Sequence, residues 1–161
     1  MTKKNIITWI LVADARRAQV YIRERVERLG LSSRGATHKL VAVAGMRWKA
    51  ESVHEYEVGR NAIGMVFQSV GNARHMAEPH IDVREEVKLH FAKAIATNLN
   101  AAKEKKQFDC LVLVAPPKML REIKDHLDKD VQKTVVAELP KELTHYNGDA
   151  LYEHLHDIFK S

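Results

Sequence analysis

An α/β fold is what this sequence predicts, and three observations carry the prediction. A short apolar run, Cys110-Leu-Val-Leu-Val-Ala115, lies between Asp109 and the pair Pro116-Pro117. It is apolar on both faces, as a fully buried strand is. An amphipathic segment follows, in which Leu120, Ile123, Leu127 and Val131 recur at helical spacing with Lys124, Asp125, Asp128 and Lys129 opposite. A second branched run, Thr134-Val-Val-Ala137, completes the succession strand, helix, strand. That is a βαβ unit, which joins parallel strands through a right-handed crossover. Pro116 and Pro117 suit the start of its helix, because the first helical N–H groups have no partner to lose.

The remaining elements follow from the N-terminus. Ile6 to Ala13 is a first strand and Gln19 to Arg23 a second, joined by Asp14-Ala-Arg-Arg-Ala18, a hairpin-like connection with Asp14 to turn the chain. Arg23 to His38 is charged, then carries Gly and Ser, and reads as a surface excursion. Lys39 to Trp48 is a third strand through Leu40, Val41, Val43 and Ala44, with Gly45 marking a bulge or its end. From Lys49 to Pro79 no clean period holds: Ile63, Met65, Val66, Phe67 and Val70 are scattered among Gly59, Gly64 and Gly71, so this stretch reads as a long loop. Asp82 with Glu85 makes a capping-box-like start. Val83, Val87, Phe91, Ile95 and Leu99 then follow in steps of four, broadened by Ala94 and Ala102, in one long helix ending near Lys105. Asn147-Gly-Asp149 turns the chain into a last helix, Ala150 to Phe159, with Leu151, Leu155 and Ile158 as its apolar face. The expected architecture is a single domain over residues 1–161 with a mixed, mainly β-sheet core, a parallel βαβ unit and packed helices.

Composition bounds the partners. A formal charge of +5 and a pI near 9.3 suit an anionic partner such as RNA or phosphate. The single Cys110 makes an intramolecular disulfide impossible and reads as an inert core thiol in a reducing compartment. Lys3-Lys4 ahead of Ile6 to Ala13, with Ala13-Asp14-Ala15 after it, imitates a signal peptide; the apolar run is short, and Arg16-Arg17 follow at once, which favours a strand. No run approaches the roughly 18 apolar residues of a spanning helix. A cytoplasmic location without a membrane span is expected.

Chemistry-bearing residues concentrate ahead of the long helix. Gly59-Arg60-Asn61 through Gly71-Asn-Ala-Arg74-His75-Met-Ala-Glu78-Pro79 is a basic, glycine-bearing loop leading to a helix N-terminus, an arrangement suited to an anion or RNA, or equally to plain solvation. Lys118 follows the turn at the carboxyl end of a strand, where open α/β sheets place ligands, although a Pro-Pro there is also a simple rigid turn. Thr144-His145 reads either as a polar cluster at the sheet edge or as a cap and a surface histidine. The nine His, His75 and His80 around Glu78 among them, match no zinc spacing, so no metal is expected. GxGxxG and GxxxxGK[ST] are both absent, and no cofactor is expected. Ser69 lacks a nucleophile elbow.

Four segments in order carry a resemblance: Trp9-Ile-Leu-Val-Ala-Asp14 with Arg16 and Ala18, the Arg74-His75 to Glu78-Pro79 loop, Leu111-Val-Leu-Val-Ala-Pro-Pro117, and Val135 to His145. Together they resemble the bacterial host-attachment protein family, over roughly Ile6 to Leu155. That family is similar to the central domain of archaeal and eukaryotic peptide-chain release factors and to bacterial release-factor-like proteins. The resemblance implies an RNase H-like sheet and a loop entering a long helix. In release factors that loop carries Gly-Gly-Gln, which reaches the peptidyl-tRNA ester. Here it reads Gln68-Ser-Val-Gly-Asn-Ala-Arg74, so the resemblance does not extend to the peptide-releasing residues.

Three functions compete on these grounds. The first is an RNA-, tRNA- or ribosome-associated binding module using Arg16, Arg17, Arg60, Arg74 and Lys118, with Asp14, Pro116 and Pro117 as structural turns. The second is an indirect attachment factor acting through a protein partner. The third is a hydrolase of tRNA or another ester, with Gln68, His75 or Glu78 as catalytic candidates.

Overall fold

The computed structural model describes residues 5–26, 37–64 and 82–159. In chain order the elements are β1 (Thr8–Ala13), β2 (Arg17–Val26), β3 (Thr37–Lys49), α1 (Val53–Gly64), α2 (Val83–Glu104), β4 (Cys110–Val114), α3 (Pro117–Asp125), α4 (Lys129–Gln132), β5 (Val135–Leu139) and α5 (Gly148–Phe159). They form an α/β fold around one mixed sheet of five strands in the order β3-β2-β1-β4-β5. β1 to β3 run as an antiparallel meander, and β1, β4 and β5 are parallel.

β1 and β4 are the centre of the sheet and are buried on both faces, which is why their sequences are apolar without alternation. Trp9, Leu11 and Ala13 with Leu111 and Leu113 face one way, onto Phe91, Ile95 and Leu99 of α2 and Leu120 and Ile123 of α3. Ile10 and Val12 with Val112 and Val114 face the other way, onto Leu143 and onto Leu151 and Leu155 of α5. Each such aliphatic side chain contributes about 1.5–3 kcal/mol on full burial. Phe108 closes one end of the larger cluster, its ring 4.9 Å from that of Trp9.

Several expectations change in the tertiary structure. The stretch after Lys49, read as a loop, contains α1, whose half-buried Tyr56 lies against α2 with its hydroxyl 3.2 Å from Glu86 and its ring 5.7 Å from that of His90. A helix resting on another helix's polar side needs little apolar stripe, so its period is faint in the sequence. Ser52 and Glu55 cap it reciprocally, at 3.1 and 3.2 Å. The capping box expected at Asp82 is only half made: Asp82 accepts from the Arg84 N–H at 3.0 Å, while Glu85 pairs with Lys88 and Lys118 instead of reaching back. On α2, Ala92 and Ala96 broaden the buried stripe, whereas Ala94 is exposed. Cys110, expected in the core, is half-buried because it opens its strand at the sheet end.

The helix of the βαβ unit is two helices. Leu120, Ile123, Leu127 and Val131 are all buried as their spacing predicts, yet the backbone breaks between α3 and α4. Asn100 of α2 supports the break, its amide bonding the His126 carbonyl at 3.3 Å and the Asp128 N–H at 2.9 Å. β3 carries the expected irregularity at Gly45, where φ is +79°, a conformation that suits glycine. Its pairing with β2 slips between Gln19 and Tyr21, and the Gln19 amide donates to the carbonyls of Val43 (3.5 Å) and Met46 (3.2 Å) exposed by the slip. The residues Gln68, Ser69, Gly71, Arg74, His75, Glu78 and Pro79 lie outside the described residues.

Candidate functional site

The carboxyl ends of β1 and β4 open at the same edge of the sheet, and the chain leaves both in tight turns. After β1, Asp14 folds the turn onto itself. Its Oδ1 accepts the backbone N–H groups of Arg16 at 2.7 Å and Arg17 at 2.8 Å, and its own N–H donates to the Arg17 carbonyl at 2.9 Å. The Ala13–Ala18 pair then starts the antiparallel ladder. After β4, Pro116 is the N-cap and Pro117 the first residue of α3, and the Leu120 N–H reaches the Pro116 carbonyl at 2.9 Å.

The segment after β5 closes the edge from the other side. Thr144 donates its hydroxyl to Asp14 Oδ2 at 2.5 Å. His145 Nδ1 lies 2.9 Å from Arg17 Nη2, and its Nε2 lies 3.3 Å from Glu142. A guanidinium only donates, so Nδ1 must accept and the imidazole proton sits on Nε2, facing Glu142. Burial pushes the Asp14 carboxyl upward; the Thr144 hydroxyl, the N–H groups of Arg16 and Arg17 and the Arg17 charge outweigh it and hold the group below its ordinary value of 3.8. Asp14 is therefore an ionised anchor whose acceptor capacity is spent on the fold, which suits it poorly to act as a general base.

Around this anchor lies a cleft of ≈ 720 Å³ lined by Asp14, Arg16, Arg17, Arg47, Trp48, Lys49, Pro116, Glu142 and His145. It continues past Arg16 and Lys49 into a second hollow of ≈ 820 Å³ that reaches Arg84 and Lys88 at the start of α2. The register explains the convergence: Arg17 pairs with Lys49 and Gln19 with Arg47 across β2 and β3. Arg16, Arg47 and Lys49 have no ion-pair partner among the described residues, while Arg17 lies 3.8 Å from Asp14. The half-buried Trp48 between the two β3 cations packs inward against the core.

Of the residues singled out in the sequence, Arg16 and Arg17 meet in this cleft, with Asp14 and Pro116 on its wall. Arg60 does not join them; it lies on α1, bonded to Glu86 at 2.7 Å. Lys118, in the first turn of α3, is tied to Glu85, whose carboxyl Lys118 and Lys88 hold below its ordinary value. Arg74, Gln68, His75 and Glu78 lie outside the described residues. Sequence reasoning missed Arg47, Lys49 and Glu142. The available signal was a basic pair two residues apart at a strand end, which period two places on one side of the sheet.

A family model described as "Protein required for attachment to host cells" matches residues 9–155. Among solved structures the chain is similar to an archaeal translation termination factor, aRF1, at 11% sequence identity and a TM-score of 0.45. That alignment covers 96% of this chain and 35% of the other, so the chain spans about a third of the factor's length. No curated protein matches the sequence. Among the described residues no helix is long and apolar enough to cross a membrane.

Proposed function

The chain belongs to the family of proteins required for attachment to host cells, and from that premise we propose that it is a binding module for RNA, in the form of tRNA or the ribosome, acting through the basic cleft at the carboxyl edge of its sheet. One observation carries the reading: Arg16, Arg17, Arg47 and Lys49 share one mouth, Arg16, Arg47 and Lys49 without an ion-pair partner among the described residues, while the two carboxylates there, Asp14 and Glu142, lie against Arg17 and His145. Exposed cations that outnumber the carboxylates beside them make a positive mouth that attracts an anion. Arg17 adds a guanidinium held in direction by Asp14 and His145, and such a planar fork suits phosphate oxygens. An RNA-binding module acts on attachment indirectly, upstream of whatever surface makes the contact.

The test is the affinity for labelled tRNA between about 50 and 200 mM salt. If four cations meet phosphates, log K falls against log salt with a slope of about −3 to −4, between roughly −0.7 per contact for single strands and −0.9 for a duplex. The pair Arg47→Glu and Lys49→Glu should weaken binding more than tenfold and roughly halve that slope. Affinity insensitive to salt, or unchanged by the double reversal, removes the proposal. Recovery of a defined protein partner without RNA would favour the attachment factor that works through proteins.

A further inference from the structure

Beside the cleft lies a smaller hollow of ≈ 210 Å³ whose walls include Gln19, Tyr21, Thr144, Tyr146 and Asn147, and it shares Arg17 and Arg47 with the cleft itself. Its volume is on the scale of a single heterocycle, and it is open to solvent on one side. Its walls differ in kind from the cleft's. Tyr146 is 39% exposed, its ring in tilted contact with that of His154 at 4.1 Å and its N–H bonded to the carbonyl of the buried Leu143 at 3.1 Å. Among the described residues the Tyr146 hydroxyl and the Asn147 side-chain amide have no hydrogen-bond partner. An exposed aromatic ring held by a neighbouring imidazole, an uncommitted amide and two flanking guanidiniums are what a splayed nucleotide requires: a ring to stack on, polar edges to meet, and charge for the adjoining phosphates.

We infer that this hollow receives one unstacked base of a single-stranded nucleic acid whose neighbouring phosphates lie across Arg17 and Arg47. The inference rests on the RNA-binding reading of the cleft and narrows it, since a duplex keeps its bases paired and stacked and can offer only its backbone. Because Arg17 and Arg47 stand between the two hollows, one nucleotide spans both, with phosphate on one side and base on the other.

The experiment measures anisotropy with a short end-labelled RNA strand, the same sequence as DNA, and the RNA strand annealed to its complement. The single strand should bind more tightly than the duplex. Tyr146→Ala should lower single-strand affinity roughly 5- to 100-fold and leave the salt slope unchanged, because it removes stacking and no charge. Tyr146→Phe, which keeps the ring, should retain most of the binding, and an unchanged urea midpoint for Tyr146→Ala shows that its loss belongs to stacking rather than to folding. DNA binding equal to RNA assigns the hollow to any single strand, and a preference for RNA assigns it to RNA; both support a base site. Duplex binding as tight as single strand, or Tyr146→Ala at wild-type affinity, overturns the base site. If the Arg47→Glu and Lys49→Glu pair still abolishes binding in that case, the cleft proposal stands alone. Absence of binding to all three probes overturns both.

Discussion

Asp14→Asn tests the architecture of the site most directly. The carboxylate accepts three hydrogen bonds, from the N–H groups of Arg16 and Arg17 and from the Thr144 hydroxyl, and lies 3.8 Å from the Arg17 guanidinium. Asparagine keeps the shape and loses the charge. One oxygen still serves the two N–H groups, and the amide nitrogen now faces Thr144, whose hydroxyl must turn to accept. Charge-assisted bonds contribute about 1.5–3 kcal/mol and neutral ones about 1 kcal/mol, so three weakened bonds lose about 1.5–6 kcal/mol before solvent is considered. Arg16 and Arg17 are exposed, and water takes up part of that loss, which leaves about 1.5 kcal/mol. For a chain of this length that corresponds to a fall in melting temperature of about 3–6 °C.

The pH dependence supplies a second readout. Because the folded-state carboxyl titrates below its ordinary value of 3.8, its stabilisation is fully present above that value and is lost as the pH falls through the lower, folded value. The gap between wild type and Asp14→Asn should therefore be flat near neutrality and close only in acid below about 3.8. Urea unfolding monitored by circular dichroism, repeated across that range, measures it. Equal midpoints at neutral pH, or a gap that widens in acid, would refute the anchoring role.

Leu99→Ala and Leu155→Ala should each cost about 2–5 kcal/mol in urea unfolding, since both side chains are fully buried. They lie in separate clusters on opposite faces of the sheet, so the double variant should lose the sum to within about 0.5 kcal/mol; strong coupling would contradict the two-faced core. Asn100→Ala should cost about 1 kcal/mol and speed amide exchange at Asp128, whose N–H the asparagine holds at 2.9 Å; unchanged exchange there would show that the break between α3 and α4 is set locally.

Much of the fold was legible because period and burial coincide in its centre. The double-faced runs at Trp9 to Ala13 and Leu111 to Val114 announce central strands, and the steps of four from Val87 to Leu99 announce the long helix beneath them. The site was legible only in part. Arg16, Arg17 and Asp14 follow one strand directly and were visible as a charged turn. Arg47 and Lys49 join them through pairing across β2 and β3, and Thr144 and His145 arrive from about 130 positions away.

The sequence by itself determined which residues turn inward, because a strand buried on both sides and a helix buried on one impose different periods on the apolar side chains. It also determined that Asp14 would turn the chain, since a short acidic side chain folds back on its own backbone. Only the tertiary structure decided which cations share a mouth. The antiparallel register sets Lys49 opposite Arg17, and the Thr144 hydroxyl on Asp14 draws His145 onto that arginine. Charge leaves no period in a sequence, so its convergence is fixed by strand pairing and by the path of a distant loop.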